Sequence, residues 1–349
     1  AYSGLETMTS ETQFILGIES SCDETAAAIV ADGKQVISSV VHSQIDEHAA
    51  WGGVVPEIAG RSHLRSIRTV VDQCLTEANM RPEQLSGIAV TNRPGLMGSL
   101  LIGVTAAKAL AYAWQKPIVG VHHIEAHIYA ALMSIEQPTF PFITLVVSGG
   151  HTSLYRSDSA LEHQLLGATR DDAAGECLDK AAAMLELSYP GGPSIQKAGA
   201  HGDPKSFQFK QPMLNRESLD FSFSGMKTAL LYKLRGPGNR LTDPWIVDRK
   251  HTADVCASFE HAVVSTLARK CVRACQQHNI QQVLVGGGVA CNLRLRRIMD
   301  ELCAEHNIQA TFAPPAYCTD NAVMIAGLGY ELFAADKADS LNLDVFAQA

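Results

Sequence analysis

A histidine pair in the first half of the chain has the spacing of a metal site. His123 and His127 lie four positions apart in the segment HHIEAH, residues 122–127. On a helix this spacing places both imidazoles on one face, at a separation that one metal ion can bridge. Neutral imidazole suits zinc or iron. Because the pair alone could equally be structural, it is a hypothesis that needs further ligands.

Asp320, in the segment CTDN before the last apolar helix, is the candidate third ligand. Two histidines and one carboxylate would leave coordination positions open for substrate, which is typical of catalytic and not of structural sites. The alternative is a helix-capping aspartate, a role that this position also favours.

The same segment argues against a zinc peptidase. In HExxH the glutamate directly follows the first histidine, whereas Glu125 lies two positions after His123. That offset turns it by about 200° around a helix, away from the metal. A metallopeptidase therefore stays an alternative hypothesis without a suitable general base.

Three small-residue turns follow apolar segments: ESSCD at 19–23, SGG at 148–150 and GGG at 286–288. Glycine lets backbone N–H groups approach a ligand closely, and a following helix N-terminus favours phosphate. Ordinary hairpin and strand–helix turns are the alternative. The turns lack GxxxxGK[ST] and GxGxxG, which argues against a P-loop ATPase and a Rossmann dehydrogenase. An actin-class ATPase or a small-molecule kinase would explain them but would leave the histidines idle.

Charged residues form three further clusters, for which a solvated helix face is the default interpretation. Glu176, Asp179 and Lys180 share one helical face, where a carboxylate could accept hydrogen bonds from ribose hydroxyls. The two basic clusters, which could contact RNA phosphates, are Arg61, Arg65 and Arg68, and Arg294, Arg296 and Arg297.

The composition predicts a two-lobed globular protein. The 349 residues exceed one ordinary core, and 46% are hydrophobic and 18% charged. The net charge of −8 means that nucleic-acid binding would need local patches or a partner protein. Nine scattered cysteines without a CxxC pair favour a reducing compartment. No apolar run reaches about 18 residues, so we expect no membrane span.

Alternating apolar and turn segments predict an α/β architecture. The predicted strands are 14–19, 26–30, 36–41, 85–91, 117–121, 142–147, 152–156, 282–285 and 311–313. The predicted helices are 61–78, 95–114, 172–187, 252–278 and 320–335, and another begins near Asn292. The strand–turn–strand opening at Phe14 recurs at Phe142, which is weak support for an internal duplication. Residues 189–224 are predicted to be a functional segment or to contain short helices.

Nine segments together resemble the TsaD family of tRNA N6-adenosine threonylcarbamoyltransferases. They are GIESSCDET (17–25), PEIAGRSH (56–63), HHIEAH (122–127), LVVSGGHT (145–152), DDAAGECLDKAA (171–182), YPGGP (189–193), FSFSGMKTA (221–229), GGGVACN (286–292) and CTDNAVMIA (318–326). The resemblance runs over nearly the whole chain, and these motifs are long, ordered and specific.

The resemblance implies an α/β, actin-like ATPase fold of the sugar kinase, Hsp70 and actin type, with two lobes around a central ligand cleft. We expect a tag or loose extension at 1–13, an N-terminal lobe at 14–127, a C-terminal lobe at 128–328, and a segment at 329–349 that packs back on the N-terminal lobe. The implied metal ligands are His123, His127 and Asp320, with Fe²⁺ or Zn²⁺ bound. The implied nucleotide contacts are Val147, Ser148, Gly149, Gly150, His151, Asp179, Gly192 and Asn292, and the first phosphate loop would contain Glu19, Ser21 and Asp23.

The implied reaction moves threonylcarbamoyl from threonylcarbamoyl-adenylate to N6 of the adenine beside the anticodon of tRNA, and AMP leaves. The metal would act as a Lewis acid, and no side chain is an obvious general base. Implied partners are the tRNA, a TsaC-type adenylate-forming enzyme, a TsaB-like paralogue and a TsaE-like ATPase in bacteria, or a second copy of the chain. The expected location is the cytoplasm or, alternatively, the mitochondrial matrix.

Two positions depart from the family pattern. Arg93 stands where members often have glycine before Pro94, so that loop is expected to be altered. Val147 stands where archaeal and eukaryotic relatives place a tyrosine that ligates the metal, which indicates the bacterial or organellar branch.

Overall fold

Two mixed five-stranded sheets form the framework of the computed structural model, which describes residues 11–214 and 217–348. Most of the predicted extension at 1–13 lies outside the described residues. The first sheet has the order β3-β2-β1-β4-β5, with β1 Phe14–Glu19, β2 Glu24–Ala31, β3 Gln35–Ser43, β4 Gly87–Arg93 and β5 Ile118–His122. The second has the order β8-β7-β6-β9-β10, with β6 Phe142–Val147, β7 Thr152–Ser157, β8 His163–Ala168, β9 Gln282–Gly286 and β10 Gln309–Phe312.

The two sheets share one topology. In each, the first three strands form an antiparallel meander, and the last two run parallel to the first. This repeat agrees with the recurring strand–turn–strand opening in the sequence. Strand β8 was not predicted, because its apolar run is only the four residues LLGA and its side chains are mostly exposed or half-buried.

Eleven α-helices lie among the described residues. They are α1 Ile45–Ala49, α2 Pro56–Glu77, α3 Met97–Trp114, α4 His123–Leu132, α5 Ala174–Met184, α6 Gly191–Ala198, α7 Ser224–Arg235, α8 Thr252–His278, α9 Leu293–Glu305, α10 Pro315–Cys318 and α11 Ala322–Ala334. Within the predicted functional segment 189–224, α6 is the short helix and much of the remainder is irregular.

Helices α4 and α11 are exchanged between the two halves. Helix α4 follows the first sheet but packs against β6 and β9 of the second, whereas α11 follows the second sheet and packs against β1, β2 and β4. By packing, the return to the first sheet thus begins with α11, at Ala322. Further along, the Asp339 carboxylate accepts the Gly120 N–H at 2.8 Å, and Phe346 N–H donates to the Asn92 carbonyl. The division into lobes stays a prediction.

Local chemistry explains where three helices begin. Helix α2 starts at Pro56, a residue suited to a first helical turn, and not at Arg61. Helix α3 starts at Met97, after an extended Leu96 whose N–H donates to the Ser21 carbonyl. The cap of α11 is Asn321, whose Oδ1 accepts the Met324 N–H at 3.0 Å. The alternative role of Asp320 as helix cap is therefore wrong.

The main apolar cluster is continuous through both halves. Alternate residues of β1 point to opposite faces, so that Ile15 joins the cluster shared with the second sheet while Leu16 and Ile18 pack against α2 and α3. Helix α3 is the one helix among the described residues that is long and apolar enough, by length and composition only, to cross a membrane. Here it packs against α2 and β4.

Candidate metal centre and adjoining cleft

Three side chains predicted to ligate a metal converge at one point. The Nε2 atoms of His127 and His123 lie 3.0 and 3.4 Å from Oδ1 of Asp320, and the potential ligand atoms of the group lie within 4.8 Å of one another. The two imidazole rings meet edge to face, with centroids 4.7 Å apart. Both histidines are buried, whereas the Asp320 side chain keeps 20% exposure. The group is therefore accessible from one side, through Asp320.

Strand ends bring this group together. Parallel strands β1, β4 and β5 end at Glu19, Arg93 and His122, and α4 begins immediately with His123. Asp320 arrives from the other half of the chain, in the turn between α10 and α11. The carboxyl edge of a parallel sheet is where α/β proteins commonly bind ligands.

Glu19 orients the first histidine. Its Oε2 accepts a hydrogen bond from His123 Nδ1 at 3.0 Å and one from the Thr91 hydroxyl at 2.7 Å, and its Oε1 accepts the Ser21 N–H. A carboxylate on one ring nitrogen fixes the tautomer and leaves the other nitrogen free for a metal. Sequence reasoning placed Glu19 in a phosphate loop and missed Thr91, since an apolar strand gives no sign of which side chain faces a histidine.

The electrostatics of this group favour a cation. Burial tends to lower the pKa of His123, but the charges of Asp320 and Glu19 outweigh it and raise that pKa well above its usual range. Burial likewise tends to raise the pKa of Asp320, yet the neighbouring His123 and His127 hold it well below its usual range. Burial, with Asp320 and Asp23 nearby, raises the pKa of Glu24 to about 9. Two imidazole nitrogens and one carboxylate oxygen form a donor set that fits Zn²⁺ or Fe²⁺.

The first loop lies directly against the histidine group. Ser21 Oγ is 3.2 Å from His123 Nδ1, and Ser21 is buried together with Asp23. Gly95 supports the loop from behind, since a Cβ there would lie 2.7 Å from the Ser21 carbonyl oxygen. The loop predicted for phosphate thus forms one wall of the metal centre.

The second turn, residues 148–150, leaves free space beside its two glycines. A Cβ added at Gly149 or Gly150 would meet no protein atom within 4 Å. Ser148 N–H donates to the His151 carbonyl, and Ser148 Oγ accepts the His151 N–H at 3.2 Å. These two hydrogen bonds within the turn hold its conformation. The His151 ring lies 6.4 Å from that of His123, and burial, with the nearby His123, lowers its pKa to about 4. Val147 is fully buried in β6, so its side chain offers nothing to a ligand.

A cavity of about 350 Å³ lies beside Asp179, within the size range of small-molecule sites. Ala49 and Gly52 border one side, and Asp179 and Tyr189 border the other. Asp179 Oδ1 accepts the Gly191 N–H at the start of α6, and the neighbouring Gly192 leaves space for a ligand. Burial raises the pKa of Asp179.

Asn292, at the third turn, is committed to internal contacts. Its Oδ1 accepts the Leu295 N–H as the cap of α9, and its Nδ2 donates to Glu260 Oε1 at 2.6 Å. Glu260, buried on α8, also pairs with Arg294 at 2.7 Å. Gly287 has a φ of +92°, and a Cβ there would lie 2.4 Å from the Val147 carbonyl oxygen, so this turn packs tightly against β6.

Most of the other charged candidates have protein partners. Lys180 pairs with Glu176 at 2.7 Å and with Asp172 at 2.9 Å, as expected for a charged, solvated helix face. Arg296 donates to two backbone carbonyls, and Arg297 pairs with Glu301 at 3.8 Å. Arg61 and Arg65 are exposed on α2, and exposed Arg68 pairs with Asp72. The nine cysteines are free thiols.

Solved structures with related folds cover nearly the whole chain. Component A of the (R)-2-hydroxyglutaryl-CoA dehydratase of Acidaminococcus fermentans superposes with a TM-score of 0.53 at 14% identity, over 92% of this chain and 99% of that one. Full-length HypF superposes with a TM-score of 0.58 at 11% identity, over 94% of this chain and 47% of that one. These neighbours have the actin-like ATPase fold, so the predicted fold class is confirmed.

Sequence relatives are much closer. A protein of Syntrophotalea carbinolica named tRNA N6-adenosine threonylcarbamoyltransferase is 47% identical over 95% of this chain and 94% of its own length. One of the same name from Geobacter metallireducens is 48% identical over 95% of both chains. The family model described as TsaD, tRNA N6-adenosine threonylcarbamoyltransferase, matches residues 35–327. The chain therefore belongs to the TsaD family, as its motifs predicted.

Proposed function

We propose that this chain transfers the threonylcarbamoyl group from threonylcarbamoyl-adenylate to N6 of the adenine next to the anticodon of tRNA, with release of AMP. Family membership supports the reaction, and the convergence of His123, His127 and Asp320 at the edge of an open cleft carries the assignment of the site. Neither the peptidase nor the kinase alternative accounts for both the ligand group and the open glycine turn.

His123 Nε2, His127 Nε2 and Asp320 Oδ1 would hold one Fe²⁺ or Zn²⁺ ion. When bound, the ion supplies Lewis-acid polarisation of the carbamoyl carbonyl group. Glu19 keeps His123 in the tautomer whose Nε2 is free, since its carboxylate accepts the Nδ1–H. The Asp320 side chain, 20% exposed, is the side of the group that substrate could reach.

The glycine turn and the cavity beside the metal centre would hold the adenylate. Gly149 and Gly150 leave room for a phosphate to approach their N–H groups, and the cavity beside Asp179 suits a nucleoside. The Asp179 carboxylate, already accepting the Gly191 N–H, has lone pairs left for a ribose hydroxyl. The adenine of the tRNA must be splayed out of its stack to reach this cleft.

Partners and location complete the proposal. With a net charge of −8, the chain would grip tRNA with help from other proteins, for which a TsaB-like paralogue and a TsaE-like ATPase, or a second copy of the chain, are the proposed candidates. A TsaC-type enzyme would supply the adenylate. We place the reaction in the cytoplasm, with the mitochondrial matrix as the alternative.

Mass spectrometry of nucleosides tests the function directly. The purified chain is incubated with an unmodified tRNA, threonine, bicarbonate, ATP and the adenylate-forming enzyme, with and without the TsaB-like and TsaE-like proteins. We expect a threonylcarbamoyladenosine peak that requires this chain and is absent with Asp320→Asn. No peak in either mixture, from protein with metal bound, would contradict the proposal and favour a diverged actin-like ATPase.

A further inference from the structure

A chain of buried hydrogen bonds runs from the start of α2 to the first loop. Val55 N–H donates to His48 Nδ1 at 3.3 Å, and His48 Nε2 donates to Gln44 Oε1 at 3.2 Å. Gln44 Nε2 then donates to His63 Nδ1 at 3.4 Å. Finally, His63 Nε2 donates to the Cys22 carbonyl at 2.9 Å. The side chains of His48, Gln44 and His63 are fully buried. We call these three side chains the relay.

The direction of every bond in the relay is fixed by its ends. A carbonyl can only accept, so His63 Nε2 carries the hydrogen and Nδ1 is the acceptor, which also serves the Thr25 hydroxyl at 2.8 Å. A backbone N–H can only donate, so His48 Nδ1 accepts and its Nε2 donates. Both imidazoles are then neutral, and burial lowers the pKa of His63 in the same sense. Each polar atom of the relay finds a partner, as a buried network requires.

The relay connects the loop that forms one wall of the metal centre with the segment that forms one wall of the cavity. At one end Cys22 adjoins Ser21, whose Oγ lies 3.2 Å from His123 Nδ1. At the other end Gln44 and His48 belong to the segment 44–55, and Ala49 and Gly52 of this segment border the cavity beside Asp179. The relay therefore links the cavity wall to the loop beside the metal ligands, in parallel with the backbone hydrogen bond from Gln44 N–H to the Asp23 carbonyl at 3.1 Å.

We propose that His63 is a positioning residue for the transfer reaction, which holds the Cys22 loop and the 49–52 cavity wall in register so that an adenylate in the cavity meets the His123, His127 and Asp320 group. The inference rests on the proposed function. It predicts that loss of the relay weakens binding of the adenylate, because the wall that contacts it then loses its side-chain ties to the loop and retains the backbone hydrogen bond from Gln44 N–H to the Asp23 carbonyl.

Steady-state kinetics with matched variants test this role. His63→Leu removes both ring nitrogens, Gln44→Met removes the amide at nearly constant volume, and His63→Gln keeps one donor and one acceptor. Ser258→Ala is the control, since it breaks two hydrogen bonds of a buried side chain on α8 outside the cleft. We expect the KM for threonylcarbamoyl-adenylate to rise about tenfold in His63→Leu and Gln44→Met, and to stay within about threefold in His63→Gln. The KM for tRNA is expected to be unchanged.

A merely structural role gives a different result. Partial unfolding lowers the active fraction and hence the maximal rate but leaves KM unchanged, which is the outcome expected for Ser258→Ala. The same outcome in both His63→Leu and Gln44→Met would overturn the proposal. If His63→Leu does not fold, Gln44→Met decides alone.

Two readouts do not depend on activity. Calorimetry should give an AMP dissociation constant raised about tenfold in Gln44→Met and nearly unchanged in Ser258→Ala. Hydrogen exchange should be faster in segment 44–55 of Gln44→Met, because Val55 N–H loses its fixed acceptor. Unchanged AMP affinity in this variant would refute the positioning role even if the wild-type chain made no threonylcarbamoyladenosine, a result that would refute only the proposed function.

Discussion

His123 lies between two carboxylates, with Glu19 at Nδ1 and Asp320 at Nε2. The two contacts have different purposes, because Glu19 is fully buried whereas Asp320 reaches the cleft. The buried Glu19 carboxylate can hold the orientation of the imidazole ring, while the Asp320 carboxylate can bind a metal ion together with His123. Removing either partner should therefore have effects of different size.

Loss of a ligand and loss of its orienting partner are distinguishable. We expect His123→Ala to lose bound metal and to reduce transfer by more than about 100-fold, while Glu19→Gln lowers metal affinity by about 10- to 100-fold. Elemental analysis after dialysis, together with the nucleoside assay, measures both. His306→Ala, at an exposed position, is the control that should retain metal and activity. Full metal occupancy in His123→Ala would refute the assigned ligand.

Metal affinity should rise with pH. Because the carboxylates raise the pKa of His123, the metal-free site holds its proton at neutral pH, and a cation must displace that proton. Binding of Zn²⁺ is therefore expected to release about one proton per ion at pH 7. Calorimetric titrations in buffers of different ionisation enthalpy measure this number. A site that releases no proton would contradict the assigned protonation of His123.

The turns that follow β6 and β9 are built from the same residue type for opposite reasons. Gly149 faces open space, whereas Gly287 adopts a positive φ and packs against the Val147 carbonyl. Glycine serves the turn after β6 by leaving room for a ligand and the turn after β9 by permitting a conformation that L side chains rarely adopt.

A pair of alanine substitutions separates these roles. Gly149→Ala should leave the free energy of unfolding nearly unchanged and weaken AMP binding at least about threefold, since its Cβ occupies the space proposed for the phosphate. Gly287→Ala should cost about 1–3 kcal/mol of stability through backbone strain. Denaturant unfolding and calorimetry measure the two effects. Normal AMP affinity in Gly149→Ala would remove that turn from the binding site.

At the scale of the whole molecule, the sequence predicted most strands and helices and the close approach of His123, His127 and Asp320. The i,i+4 spacing placed His123 and His127 on one face of a helix, although α4 was not among the predicted helices, and the family resemblance implied Asp320 as the third ligand. The relay escaped prediction because His63, on α2, meets Gln44 and His48 only through packing, and nothing in the sequence marks these side chains as partners. Asn292 illustrates the reverse case. The sequence motif marks it as a ligand contact, and in the structure its side chain is hydrogen-bonded to Glu260 and to the α9 backbone.

The exchange of α4 and α11 has a mechanical consequence. When two bodies rotate about a common axis, displacement grows with distance from that axis. If the two halves turn about the crossing helices, the ligands lie near the axis, because His123 begins α4, His127 lies one turn further along it, and Asp320 precedes the cap of α11. Opening of the cleft would thus carry its outer walls apart while scarcely changing the ligand separations, so that an ion could persist through many turnovers as nucleotide and tRNA come and go.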